Sequence, residues 1–174
     1  FTQVRNMLDS SSTVFIDEDE DGNAYAGKYD ETTYEQYGPK NEVYLAAAQA
    51  IVFKVSGEGS YYVGLKAPAV ETKASLSADV NAAETTIGHA SDLYYRVTPD
   101  SNGYVTIKNN GSNLLAVTKL RTAGSGAVAE SLDAEAAVQA YNAFSLLDVV
   151  SYDSSPVTDD ELTGNESEDS SGTV

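Results

Sequence analysis

The stretch "DLYYRVTPDSNGYVTIKNNGSNLLAVTKL", residues 92–120, limits the fold more than any other part of the chain. It alternates apolar and polar side chains and is broken twice by turns containing Asn-Gly. Such turns are the strongest short-range hairpin marker. Leu93, Tyr95 and Val97 fall on one face, with Tyr94, Arg96 and Thr98 on the other; Val105 and Ile107 point inward in the next segment. The spacing predicts three strands joined as a meander. "AIVFKV" (50–55) places Ile51, Phe53 and Val55 together. "SGEGS" then turns the chain into "YYVGLK" (61–66), where Tyr61, Val63 and Leu65 share a side, which predicts a second hairpin. "VFI" (14–16) and "EVYLA" (42–46) read as further short strands. Short strands separated by polar turns at roughly ten-residue intervals predict an all-β antiparallel sandwich rather than a parallel α/β sheet.

The pattern changes after residue 121. "ESLDAEAAVQAYNAF" (130–144) is rich in Ala and predicts a short helix or ordered insertion near 130–143, and "FSLLDVVSY" (144–152) reads as a closing strand. Residues 153–174 carry acids, no base and few apolar side chains, the composition of a linker. The expected organisation is an extension or first strand over 1–9, a sandwich over 10–152 and an acidic tail over 153–174. The chain starts at Phe1 without a basic n-region or apolar h-region, which suggests a mature or excised fragment of a larger polypeptide.

Charge removes whole classes of partner. Net charge is −17, from 27 acids against 10 bases, and that field repels nucleic-acid backbones and anionic lipid surfaces. No apolar run reaches the length needed to cross a membrane. Cysteine is absent, so disulfides, thiolate metal sites and a cysteine nucleophile are excluded together. One histidine, His89, without cysteine partners is poor material for a zinc site, and no G-x-S-x-G elbow accompanies it for a nucleophilic triad. The Gly124–Gly126 segment lacks the lysine and strand-to-helix setting of a phosphate loop. Paired carboxylates for glycoside cleavage would need a large cleft, and a chain of this size without Trp offers little room for one. The expectation is a protein that is not an enzyme and requires no cofactor.

Two features remain as candidate sites. Asp17, Asp19 and Asp21 followed by Gly22 match the opening of a calcium loop, in which alternate carboxylates converge on a hard cation. An EF-hand is rejected, because the eighth and twelfth loop positions are Ala24 and Lys28 and no helices flank them. Two alternatives stay open: a structural calcium held by a hairpin, with Asp30 or a carbonyl completing the set, and a solvated hairpin tip. The second feature is tyrosine, 12 residues against 4 Phe and no Trp. Tyr25, Tyr29, Tyr34, Tyr37 and Tyr44 stand among amides and carboxylates, which suits sugars: flat rings for C–H faces, polar groups for hydroxyls. Tyr29, Tyr34 and Tyr37 either form a ligand surface with Tyr25 or cover the sheet edges. Tyr62 and Tyr94, expected to face outward, make a second candidate surface.

"YGPKNEVYLAAAQAIVFKV" and, further on, "DLYYRVTPDSNGYVTIKNNGSNLLAVTKLR" resemble β-sandwich modules in large surface proteins of anaerobic gut Firmicutes, modules similar to carbohydrate-binding domains of the jelly-roll kind. The likeness spans residues 34–121, about half the chain, and rests on the pattern Y-x-V-T-P…G-x-V-T-I-x-N-x-G. Its Tyr95, Val97, Gly103, Val105, Ile107 and Asn109 read as core and turn positions, so no ligand residue carries over. What the resemblance implies is a secreted or cell-surface bacterial module that attaches its parent polypeptide to starch or plant-wall polysaccharide. The alternative is a structural or adhesive spacer that binds no glycan. The missing Trp and the 129–143 insertion depart from the pattern.

Overall fold

The computed structural model describes residues 13–28, 42–56, 60–76, 82–89, 93–123, 128–130, 132–145 and 149–151. Within them, twelve strands and one helix build two facing sheets, an all-β sandwich. The larger sheet runs β12 (Val149–Ser151), β7 (Ala82–Ile87), β6 (Thr72–Leu76), β9 (Tyr104–Asn109), β4 (Ala50–Ser56), β1 (Thr13–Glu18), β2 (Ala24–Gly27), with β11 (Val128–Ala129) alongside the far end of β4. The smaller runs β3 (Val43–Leu45), β10 (Leu115–Ala123), β5 (Ser60–Lys66), β8 (Leu93–Val97). All neighbours are antiparallel except β12, which lies parallel to β7. No helix among the described residues is long and apolar enough to cross a membrane.

The expected hairpin of β4 with β5 does not form. β4 and β5 lie in opposite sheets, so Ile51, Phe53 and Val55 meet Tyr61, Val63 and Leu65 across the core rather than side by side. The meander also splits: β8 and β10 belong to the small sheet and β9 to the large one. The cause is visible at the first turn. Asp100 and Tyr104 close it as a local hairpin tip, Asp100 N donating to Tyr104 O and Gly103 N to Asp100 O, both at 2.9 Å. Pro99, immediately before, has no N–H and cannot extend that ladder. The turn docks instead on β4: Val55 N donates to Gly103 O at 2.8 Å, and β9 pairs with β4 from there on. Gly103 has φ 89°, and a Cβ there would stand 2.4 Å from the Val55 carbonyl oxygen, so only glycine fits.

The inner face alternation is as the sequence predicts, with one exception. Leu93, at the start of edge strand β8, is 40% exposed and does not join Tyr95 and Val97 in the core. Of the expected closing strand, Phe144 belongs to the helix, and among the described residues Val149–Ser151 pair with β7.

The insertion is a helix, α1 (Ala134–Ser145), laid over the outer face of the large sheet. Asp133 starts it, its Oδ1 accepting from Ala136 N at 2.7 Å. Ala137, Ala140, Tyr141 and Phe144, one face at i, i+3, i+4, i+7, are buried. The first three pack on Ile16, Ala50, Val52 and Leu132. This explains why β1 and β4 are apolar on both faces: Phe15, Ile51 and Phe53 fill the sandwich, while Ile16 and Val52 lie under α1. Full burial of each such side chain contributes about 1.5–3 kcal/mol.

Candidate functional site

Helix α1 and the Asp100–Tyr104 turn face each other over an open trough of about 370 Å³. The turn supplies Asp100, Asn102 and Tyr104; β4 supplies Lys54; the helix supplies Gln139 and a ledge of Ala136, Ala140 and Ala143. The turn is held rigid by its own acid. Asp100 Oδ1 accepts from Asn102 N at 2.9 Å and Tyr104 N at 3.0 Å. Lys54 Nζ donates to the Asn102 carbonyl at 2.9 Å and stands 5.0 Å from the Tyr104 ring centroid. A fixed aromatic ring, a side-chain amide on either side, an ammonium and a carboxylate thus line one concavity. Its volume lies at the small end of ligand pockets, which run from roughly 300 Å³ upward. Sequence reading missed these residues because Tyr104 reads as a strand start and Gln139 as part of an alanine-rich insertion. The available clue was Gln139 standing among Ala136, Ala140 and Ala143, a polar side chain on a stripe of small ones.

The acidic tip is a turn of the same build. In "DEDGN" (19–23), Asp19 N donates to Asn23 O and Gly22 N to Asp19 O, while Asp19 Oδ1 accepts from Asp21 N and Asn23 N, each at 2.9 Å. Gly22, at φ 85°, corresponds to Gly103. Asp17 looks elsewhere: its Oδ1 accepts from Glu18 N and its Oδ2 from Gln49 Nε2 at 3.3 Å. Alternate carboxylates therefore do not converge. Among the described residues no three His, Asp or Glu side chains gather as a metal-binding group. The geometry is that of the hairpin tip joining β1 to β2.

Tyr29, Tyr34, Tyr37 and Asp30 lie outside the described residues. Tyr25, on edge strand β2, is 46% exposed. Tyr62 does turn away from the core, but it is 0% exposed, with the Arg96 guanidinium 5.5 Å from its ring centroid; it offers no open ring. Tyr94 is half-buried on the same strand as Arg96. Tyr44 is buried, its hydroxyl donating to Glu42 Oε1 at 2.7 Å. His89 is an exposed loop residue whose Nδ1 lies 3.2 Å from the Ala67 carbonyl oxygen.

A polar tie fastens α1 behind the trough. Tyr141, 2% exposed, donates to Glu18 Oε2 at 2.9 Å, and Lys108 Nζ lies 4.0 Å from that oxygen and 5.5 Å from the Tyr141 ring centroid. Burial pushes the Tyr141 phenol well above its ordinary value, and the hydrogen bond and negative charge of Glu18 push it further. Burial also raises the phenols of Tyr61 and Tyr95. A second open pocket, about 310 Å³, lies at the other end of β9 between Glu71, Lys73, Asn110 and Asn113, with no aromatic side chain in its wall.

Compared with known proteins, the chain matches no family model and no curated protein. Among solved structures it is similar to a family two carbohydrate esterase from Cellvibrio japonicus, at TM-score 0.43 and 7% identity, over 71% of this chain and 34% of that one. The chain thus spans about a third of the esterase's length. Likeness at that level carries no conclusion about activity.

Proposed function

We propose that this domain is a non-catalytic polysaccharide-binding module of a secreted or cell-surface bacterial protein, and that the trough between α1 and the Asp100–Tyr104 turn holds the glycan. The observation that carries the reading is the lining itself: the Tyr104 ring beside Asn102, Gln139, Lys54 and Asp100. Sugar rings present an apolar C–H face and a rim of hydroxyls, and this set offers a partner to both. The trough is shallow, so one contact is weak; a module tethered to others gains avidity without a tighter site. Affinity electrophoresis against a panel of soluble polysaccharides tests the proposal. Retardation by at least one glycan is expected, with loss of retardation in Tyr104→Ala and in Gln139→Ala.

A second reading, a spacer that binds no glycan, is favoured by one observation. The exposed large apolar side chains among the described residues are Tyr25, Val70 and Leu93, far apart in the chain, so the described residues form no broad aromatic platform. Absence of retardation across the panel would select the spacer.

A further inference from the structure

We infer that the trough takes an uncharged polysaccharide and rejects polymers of uronic acids; this rests on the glycan-binding reading above. Chain-wide charge alone does not settle the point, because fields from distant surface charges are screened beyond about 8 Å at physiological ionic strength. The rim decides it. Glu130 is fixed against the lining residue Lys54 and Ser56, its backbone N donating to the Lys54 carbonyl at 2.7 Å and its carboxylate accepting from Ser56 Oγ. Asp133 and Glu135, both exposed, open α1 just before the lining residue Ala136. Asp100 is in the wall.

One carboxylate, Asp100, and one ammonium, Lys54, are thus in the lining, and three further carboxylates, Glu130, Asp133 and Glu135, stand on residues next to lining residues, Glu130 at Lys54 and the other two before Ala136. That ammonium, Lys54, already donates to Asn102 and rests over Tyr104, so bringing a carboxylate to it means passing the acids of the rim. Hydroxyls meet no such barrier. Amides at Asn102 and Gln139 donate and accept with them equally, and the Asp100 carboxylate accepts from them. The site is built for neutral, hydroxyl-rich chains.

The test uses the whole chain in affinity gels containing soluble starch, mixed-linkage β-glucan or polygalacturonate, at about 10 mM and about 150 mM salt, where the Debye length falls from about 30 Å to about 8 Å. The expected result is retardation by a neutral polymer that salt leaves unchanged, and none by polygalacturonate at low salt. The variant Glu130→Lys/Glu135→Lys should keep the neutral affinity and gain low-salt retardation by polygalacturonate, lost as salt rises. If polygalacturonate retards the unaltered protein as strongly as any neutral polymer, the charge argument is overturned and glycan binding stands. If no polymer retards it, glycan binding itself is overturned and the inference falls with it.

Discussion

The side-chain amide of Asn109 donates across the sandwich to the main-chain carbonyl of Leu45, at 2.7 Å. Asn109 ends β9 in the large sheet and Leu45 ends β3 in the small one, so this bond ties one sheet to the other. The same Nδ2 donates to Asn113 O at 2.7 Å, while Oδ1 accepts from Thr72 Oγ1 at 2.9 Å and Gly111 N at 3.1 Å. All four hydrogen-bonding positions of the amide are used, at a residue with 0% exposure. Asn109→Ala would leave the buried Leu45 carbonyl and Thr72 hydroxyl without this amide, while half-buried Asn113 O loses a donor and Gly111 N keeps its bond to the Lys73 carbonyl. The expected loss is about 2–4 kcal/mol, since each unsatisfied buried group costs about 1–3 kcal/mol and local relaxation recovers part. Urea unfolding of the variant measures it.

The two Asp-centred turns separate backbone strain from crowding. Gly22 and Gly103 both have left-handed φ, 85° and 89°. A Cβ at Gly22 meets nothing within 4 Å, whereas at Gly103 it would press on the Val55 carbonyl. Gly22→Ala should therefore cost about 1 kcal/mol from the left-handed conformation alone. Gly103→Ala should cost clearly more and disturb the turn that walls the trough. Equal losses by thermal unfolding would contradict the account of how β9 docks on β4.

Much of this fold was legible in the sequence, and the errors share one cause. Alternation at Ile51, Phe53, Val55, Tyr61, Val63 and Leu65 identified the core side chains correctly, because a strand's period is a local property. Partner choice is not local. Turn residues such as Asp100 and Gly103 fix a tip, yet Pro99 and the docking of the turn on Val55 send the strands to different sheets. Tyr62 shows the same limit: the sequence gives its face, but only the assembled sheet shows that the ring is covered. The trough needed the helix to be placed over Val52 before Gln139 and Tyr104 could be seen as neighbours of one cavity.

Alkaline pH should loosen α1. An acid whose folded pKa lies above its unfolded value stabilises the fold at every pH below the unfolded value. That contribution is then lost as pH rises toward the folded value. For Tyr141 the unfolded reference is 10.0 and burial raises the folded value, so stability should be flat in this contribution up to about pH 10 and fall above it. Tyr141→Phe should cost about 1 kcal/mol at neutral pH, the net worth of the bond to Glu18. It should also make the alkaline fall shallower, with the remaining slope carried by Tyr61 and Tyr95. Chemical denaturation at pH 7, 10 and 11 checks both signs.

Calcium should change little at the β1–β2 tip. Asp19 Oδ1 already accepts two backbone amides and Asp17 is turned toward Gln49, so an ion would have to break the turn to gather ligands. Melting temperatures with calcium and with chelator should agree, and Asp21→Asn should leave them unchanged. A calcium-dependent rise would restore the tip as an ion site.

The most direct test of the central claim is a titration of the isotope-labelled protein with the glycan that retards it, followed by amide and side-chain NMR shifts. The perturbed signals should cluster at Asn102, Gly103, Tyr104, Ala136 and the Gln139 side-chain amide, while those of Tyr25, Tyr62 and the 19–23 turn stay in place. Perturbation centred on Tyr25 or Tyr94, with the trough silent, would contradict that claim.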